Sequence, residues 1–68
     1  MILIDFEYFS VSDFKIELFQ NDSSKFGVRI FNQDSKADLI CKIFPNYEQA
    51  ENFYKEQTKE LKKQEEEL

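Results

Sequence analysis

The side chains able to do chemistry in this chain are few and poorly matched to one another. Histidine is absent and cysteine occurs once, at Cys41. The commonest general base at neutral pH is therefore missing, and neither a zinc centre nor an activated thiol has a full set of groups. Serines stand at positions 10, 12, 23, 24 and 35, all in stretches that read as turns, with no base beside them. A single glycine, Gly27, cannot build a loop that cradles phosphates. Asp34 and Asp38 flank Lys36, but calcium needs more oxygen ligands at a fixed spacing, so this segment reads as a solvated loop. One carboxylate pair, Asp5 with Glu17, is expected to be adjacent on a sheet. Acid–base work on a substrate would also need a cleft, which one sheet and one helix are not expected to provide. No cofactor, no metal and no enzymatic activity are expected.

Aromatic residues are the other resource, with eight Phe and three Tyr. Exposed aromatics set among Lys and Arg stack bases in single-strand nucleic-acid binders. Phe9, Phe19 and Phe31 do alternate with Lys15 and Arg29, but Asp5, Glu7 and Glu17 are expected on the same face. Fourteen Asp and Glu stand against nine Lys and Arg, for a net charge of −5. That balance opposes a phosphate-binding surface, which requires clustered cations. Nucleic acid is not an expected partner.

These residues must be positioned by local structure that the apolar periodicity makes readable. Residues 2–9 alternate, with Ile2, Ile4, Phe6 and Tyr8 on one side and Leu3, Asp5, Glu7 and Phe9 on the other, the period of a strand with one wet face. Ser10 to Asp13 form a turn. Phe14, Ile16 and Leu18 then alternate with Lys15, Glu17 and Phe19, which favours a second strand over a helix opening at Ser12, in which Val11, Phe14 and Leu18 share a face but Ile16 points away. Asn21-Asp22-Ser23-Ser24 is the strongest turn in the chain, since each of these residues bonds readily to local backbone. Phe26, Val28 and Ile30 mark a third strand, residues 32–37 a polar loop, and residues 38–44 a fourth strand in which Leu39, Cys41 and Ile43 are expected inward.

Pro45 lacks the amide that a ladder needs and ends that strand. Asn46 is a natural N-cap, with Gln49 three residues on completing a capping box, so a helix is expected from about Tyr47. Ala50, Phe53, Tyr54, Gln57 and Leu61 share one helical side. A strand of this length, about 20 Å, is spanned by about fourteen helical residues. Residues 46–61 therefore form the covering helix and 62–68 a frayed or projecting end. The recurrence of Tyr47, Tyr54, Leu61 and Leu68 at seven-residue steps adds a faint coiled-coil pattern.

The expected fold is one α+β domain of residues 1–68, ββββα, in which a four-stranded antiparallel meander of residues 1–44 carries one C-terminal helix on one face. Expected pairs set Ile16 against Phe6 and Val28, Leu18 against Ile4 and Phe26, and Ile30 against Leu39. Cys41 is then a small buried residue. On the other face Leu3, Phe9, Phe19, Arg29, Phe31 and Ile40 form the candidate interaction patch. No leader, disulfide scaffold or membrane span is visible, so a cytoplasmic location is expected. These features lead to a small acidic, non-enzymatic protein-interaction module that binds another protein or a second copy of itself. The alternative is an inhibitor of the type carried by phages and other mobile elements, an acidic decoy that occupies the nucleic-acid site of a basic partner.

Overall fold

A computed structural model describes residues 1–67. Four strands, β1 (Ile2–Phe9), β2 (Phe14–Gln20), β3 (Phe26–Asn32) and β4 (Asp38–Phe44), precede one helix, α1 (Tyr47–Glu67). The strands form one antiparallel sheet in chain order, β1-β2-β3-β4, and α1 crosses one face of it. This is the expected α+β meander with a covering C-terminal helix. The hairpin turns are closed by residues with positive φ that are not glycine: Asp13, Ser24 and Lys36, each near 60°. Asn21 organises the second turn by accepting from the amides of Ser23 and Lys25, each at 3.0 Å. Asn32 does the same in the third for Asp34 at 3.0 Å and Ser35 at 2.9 Å.

The registers differ from the expected ones, and the differences decide which residues face outward. In the β2–β3 pair Leu18 stands opposite Val28 and Ile16 opposite Ile30. The turn is centred on Ser23 rather than Asp22, a shift of two residues that leaves every side chain on its expected face. In the β1–β2 pair Leu3 opposes Phe19 as expected, but Ile4 is an extra residue, and from there Asp5 meets Leu18, Phe6 meets Glu17 and Glu7 meets Ile16. A one-residue bulge inverts the parity of all that follows it. Asp5, Glu7 and Phe9 thus lie on the helix side, and Phe6 and Tyr8 on the outer face. At β4 the pairing is Ile30 with Ile40, Val28 with Lys42 and Phe26 with Phe44, again inverted by one residue. Ile40 and Phe44 therefore point toward the helix and Cys41 is exposed, correcting the expected burial of Leu39, Cys41 and Ile43.

The core is the layer between sheet and helix. Phe9, Ile16, Leu18, Val28 and Ile30 from the strands meet Ala50, Tyr54 and Leu61 from α1, with Phe14, Phe26, Ile40, Phe44 and Phe53 packed around them. Phe44 and Phe53 meet at 5.3 Å between ring centroids, and Phe26 meets Tyr47 edge to face at 5.5 Å, geometries favoured by aromatic quadrupoles. The helix begins as expected: Asn46 Oδ1 accepts from the Gln49 amide at 3.0 Å, satisfying one of the unpaired donors of the first turn. Residues 62–67, expected as a frayed or projecting end, continue the helix. Lys62 pairs with Glu7 at 3.3 Å, and Glu65 Oε1 accepts from the Val11 amide at 3.2 Å, which holds this end over the first hairpin. Leu68 lies outside the described residues.

Candidate functional site

Edge strand β1 carries the most exposed apolar surface. Its sequence ILIDFEYF contains neither proline nor lysine, the residues that most often blunt an open edge. Ile2, Leu3, Ile4, Phe6 and Tyr8 are 62, 44, 40, 51 and 50 % exposed. The strand is paired on the β2 side only, so half of its backbone groups face outward along the edge. Two features restrain that edge. The bulge at Ile4 kinks it, and Asp5 Oδ1 accepts from the Phe6 amide at 2.8 Å. Tyr8 is held by its hydroxyl, which donates to Asp13. This bond, together with desolvation and the Asp13 charge, raises the phenol pKa.

Behind Phe6 and Tyr8 the outer sheet face is a charged network bounded by aromatics. Glu17, nearly buried, lies 3.6 Å from Lys15 and 3.4 Å from Arg29, and Arg29 lies 3.7 Å from Asp38. Lys15 sits 4.8 Å above the Phe6 ring and Arg29 4.2 Å above that of Phe31, so both cations also make cation–π contacts. A shallow hollow of about 200 Å³ opens beside them, lined by Phe6, Tyr8, Lys15 and Gln33.

The six residues expected to form an interaction patch do not form one surface. Leu3 is on the outer face and exposed. Phe19 and Phe31 are on that face but only 6 % and 4 % exposed, because the Phe19 ring lies over Gly27 and Arg29 covers Phe31. Arg29 is half-exposed and engaged with Glu17 and Asp38. Phe9 and Ile40 lie on the opposite face, against the helix, for the parity reason given above. Phe6, Tyr8 and Ile43, expected inward, are the exposed apolar residues that take their place. The adjacent apolar pairs Leu3-Ile4 and Leu39-Ile40 were the available sign that alternation is interrupted in both strands.

Contrary to the expectation that one sheet and one helix provide no cleft, an open cleft of about 680 Å³ lies between β1 and α1. Asp5 and Glu7 form its sheet wall, and the buried Tyr54 and Thr58 with the exposed Lys55, Lys59, Lys62, Lys63 and Glu66 line its helix side. Burial, then the charges of Asp5 and Glu7, push the Tyr54 phenol up to about 12, so it is protonated and neutral at physiological pH. Lys55 is occupied by Glu51 at 3.6 Å and Lys62 by Glu7. Among the described residues, Lys59 and Lys63 make no ion pair.

Asp5 and Glu17, the one carboxylate pair expected to be adjacent, are on opposite faces of the sheet. Among the described residues, no cluster of acids and cysteine is arranged to hold a metal ion, and no helix is long and apolar enough to cross a membrane. Compared with known proteins, the chain matches no family, no curated protein and no solved structure.

Proposed function

We propose that this chain is a small, non-enzymatic protein-interaction module that docks its partner along β1, as an added strand that continues the sheet. One observation carries the reading: five large apolar side chains are exposed on a single edge strand. In strand addition the backbone groups of the edge supply hydrogen bonds, and alternate side chains supply specificity. Here Phe6 and Tyr8 offer apolar contact on one face, and the lysine-lined cleft offers charge on the other. The separation of Asp5 from Glu17 supports a role without catalysis. The opposite edge, β4, has fewer exposed large apolar residues, Leu39 and Ile43, and carries Lys42.

The acidic-decoy reading has less support. Glu17 is held between Lys15 and Arg29, and Glu7 pairs with Lys62, so these acids are neutralised within the fold instead of forming a free anionic surface. Immobilised protein exposed to lysate of its own cells tests the proposal, with Phe6→Asp and Ile43→Asp variants alongside. The expected result is a partner retained by the wild type and by Ile43→Asp at low and high salt, and lost with Phe6→Asp. Retention by Phe6→Asp that disappears at high salt would overturn edge docking and favour the decoy.

A further inference from the structure

We infer that the strand accepted by β1 is β1 of a second copy, paired antiparallel about a two-fold axis near Phe6, the Phe6 amide exchanging its bond to Asp5 Oδ1 for one to the added strand, so that Asp5 and Glu7 of each copy face the lysine row of the other. This inference rests on the proposal that β1 accepts an added strand, and it names the occupant. The cleft sets the requirement. A strand laid beside β1 runs about 4.8 Å farther out, and its side chains on the helix side extend the wall formed by Asp5 and Glu7 along the flank of α1 that bears Lys55, Lys59, Lys62 and Lys63. Two of those ammonium groups, on Lys59 and Lys63, are unengaged within the described chain. The matching strand therefore carries carboxylates at alternate positions on one face. On its other face it carries apolar groups to extend Phe6 and Tyr8.

Asp5-Phe6-Glu7-Tyr8 is that pattern. A two-fold axis perpendicular to the sheet keeps the faces of both copies in common. The two helices then lie on the same side of a continuous eight-stranded sheet. Four carboxylates, two from each copy, sit between two rows of lysines, and Phe6 and Tyr8 of both copies adjoin on the outer face. Directly opposed acids repel, but here each pair stands between cations contributed by both helices. The net charge of −5 per chain slows encounter at low salt without opposing the local fit, since exposed charges are screened within about 10 Å at 0.1 M salt.

Sedimentation equilibrium on purified protein from 1 µM to 1 mM, taken as roughly the span of interface affinities this weak-to-moderate class occupies, tests the pairing with charge-reversed chains. Lys59→Glu/Lys63→Glu alters only exposed helix positions. Asp5→Lys/Glu7→Lys alters the sheet wall, and circular dichroism checks that both variants fold. The wild type is expected to dimerise. Each variant alone is expected to dissociate at least tenfold more readily, and an equimolar mixture of the two to recover a dimer containing one of each. A wild-type monomer throughout the range overturns the inference, as does a dimer indifferent to both variants. If the wild type is monomeric and yet its captured partner is lost with Phe6→Asp, edge docking stands and only the second-copy occupant is rejected. If Phe6→Asp changes neither dimer nor capture, both readings fail.

Discussion

Replacing Gly27 by alanine tests the structure of the outer face where sequence and packing are most tightly linked. A Cβ at position 27 would lie 2.4 Å from Phe19 Cζ, 2.8 Å from its Cε2 and 2.8 Å from Ile43 Cδ1. Carbon atoms pack at about 3.5–4.0 Å, so the ring has to retreat by on the order of 1 Å. Phe19, like Phe31, is almost wholly buried on the outer face, and retreat exposes it. Overpacking of this kind costs about 1–3 kcal/mol. The substitution also restricts the unfolded chain, which returns about 0.4–1 kcal/mol. At the middle of those ranges the net expectation is a loss of about 1.3 kcal/mol, equivalent to roughly 5–10 °C in Tm for a domain of this size. Urea unfolding followed by circular dichroism should show a lower midpoint with an unchanged slope. In a Phe19→Ala background the ring clash disappears and only the far end of the half-exposed Ile43 side chain, free to turn away, remains close, so Gly27→Ala should cost clearly less, and a double-mutant cycle measures the difference. A Gly27→Ala effect that is the same with and without Phe19 would refute the ring-over-glycine packing, the arrangement by which an aromatic shields a glycine on a neighbouring strand.

Three further expectations concern stability. The folded state raises the Tyr54 phenol to about 12 from an ordinary value near 10; protonation is thus favoured in the native state, and the contribution is complete below about pH 10 and lost as pH rises through about 12. Unfolding free energy should fall more steeply over that window in the wild type than in Tyr54→Phe, by on the order of 1 kcal/mol once solvent screening at the open side of the cleft is allowed for. Glu17→Ala leaves Lys15 and Arg29 without their shared carboxylate, and urea unfolding should show a loss of about 1–2 kcal/mol, between exposed and buried ion-pair behaviour. Lys36→Gly removes a lysine held at φ near 62°, and the thermal midpoint should rise by the equivalent of about 0.5–1 kcal/mol.

The sequence made the elements legible but left the facing of the two edge strands hidden. Alternation located β1 and β2, Pro45 and Asn46 marked the β4-to-α1 junction, and the Asn-Asp-Ser-Ser turn separated β2 from β3. These are local signals, each written in a few adjacent residues. Facing is not local. The bulge at Ile4 arises where Leu3 and Ile4 are both apolar, so either can continue the pattern. What selects one is distant: Phe9 fills the core beneath α1, and Glu7 reaches Lys62 near the far end of the chain. In β4 the pair Leu39-Ile40 poses the same choice, settled by Phe44 packing on Phe53 and by Lys42 lying 5.2 Å over the Phe53 ring. With both parities inverted, the expected patch lost Phe9 and Ile40 to the core, while Phe6, Tyr8 and the cleft became available. Thr58, buried on α1, carries no apolar signal of its own, so its polarity masks its place in the stripe beside Tyr54 and Leu61.

The most direct test of docking along β1 is backbone amide exchange in that strand, followed by nuclear magnetic resonance in dilute protein and again in the associated state. Strand addition at this edge predicts that the β1 amides not bonded to β2 gain protection on association, while those on the outer side of β4 exchange as before. Protection confined to β4, or association that leaves the outward amides of β1 exchanging freely, would contradict it.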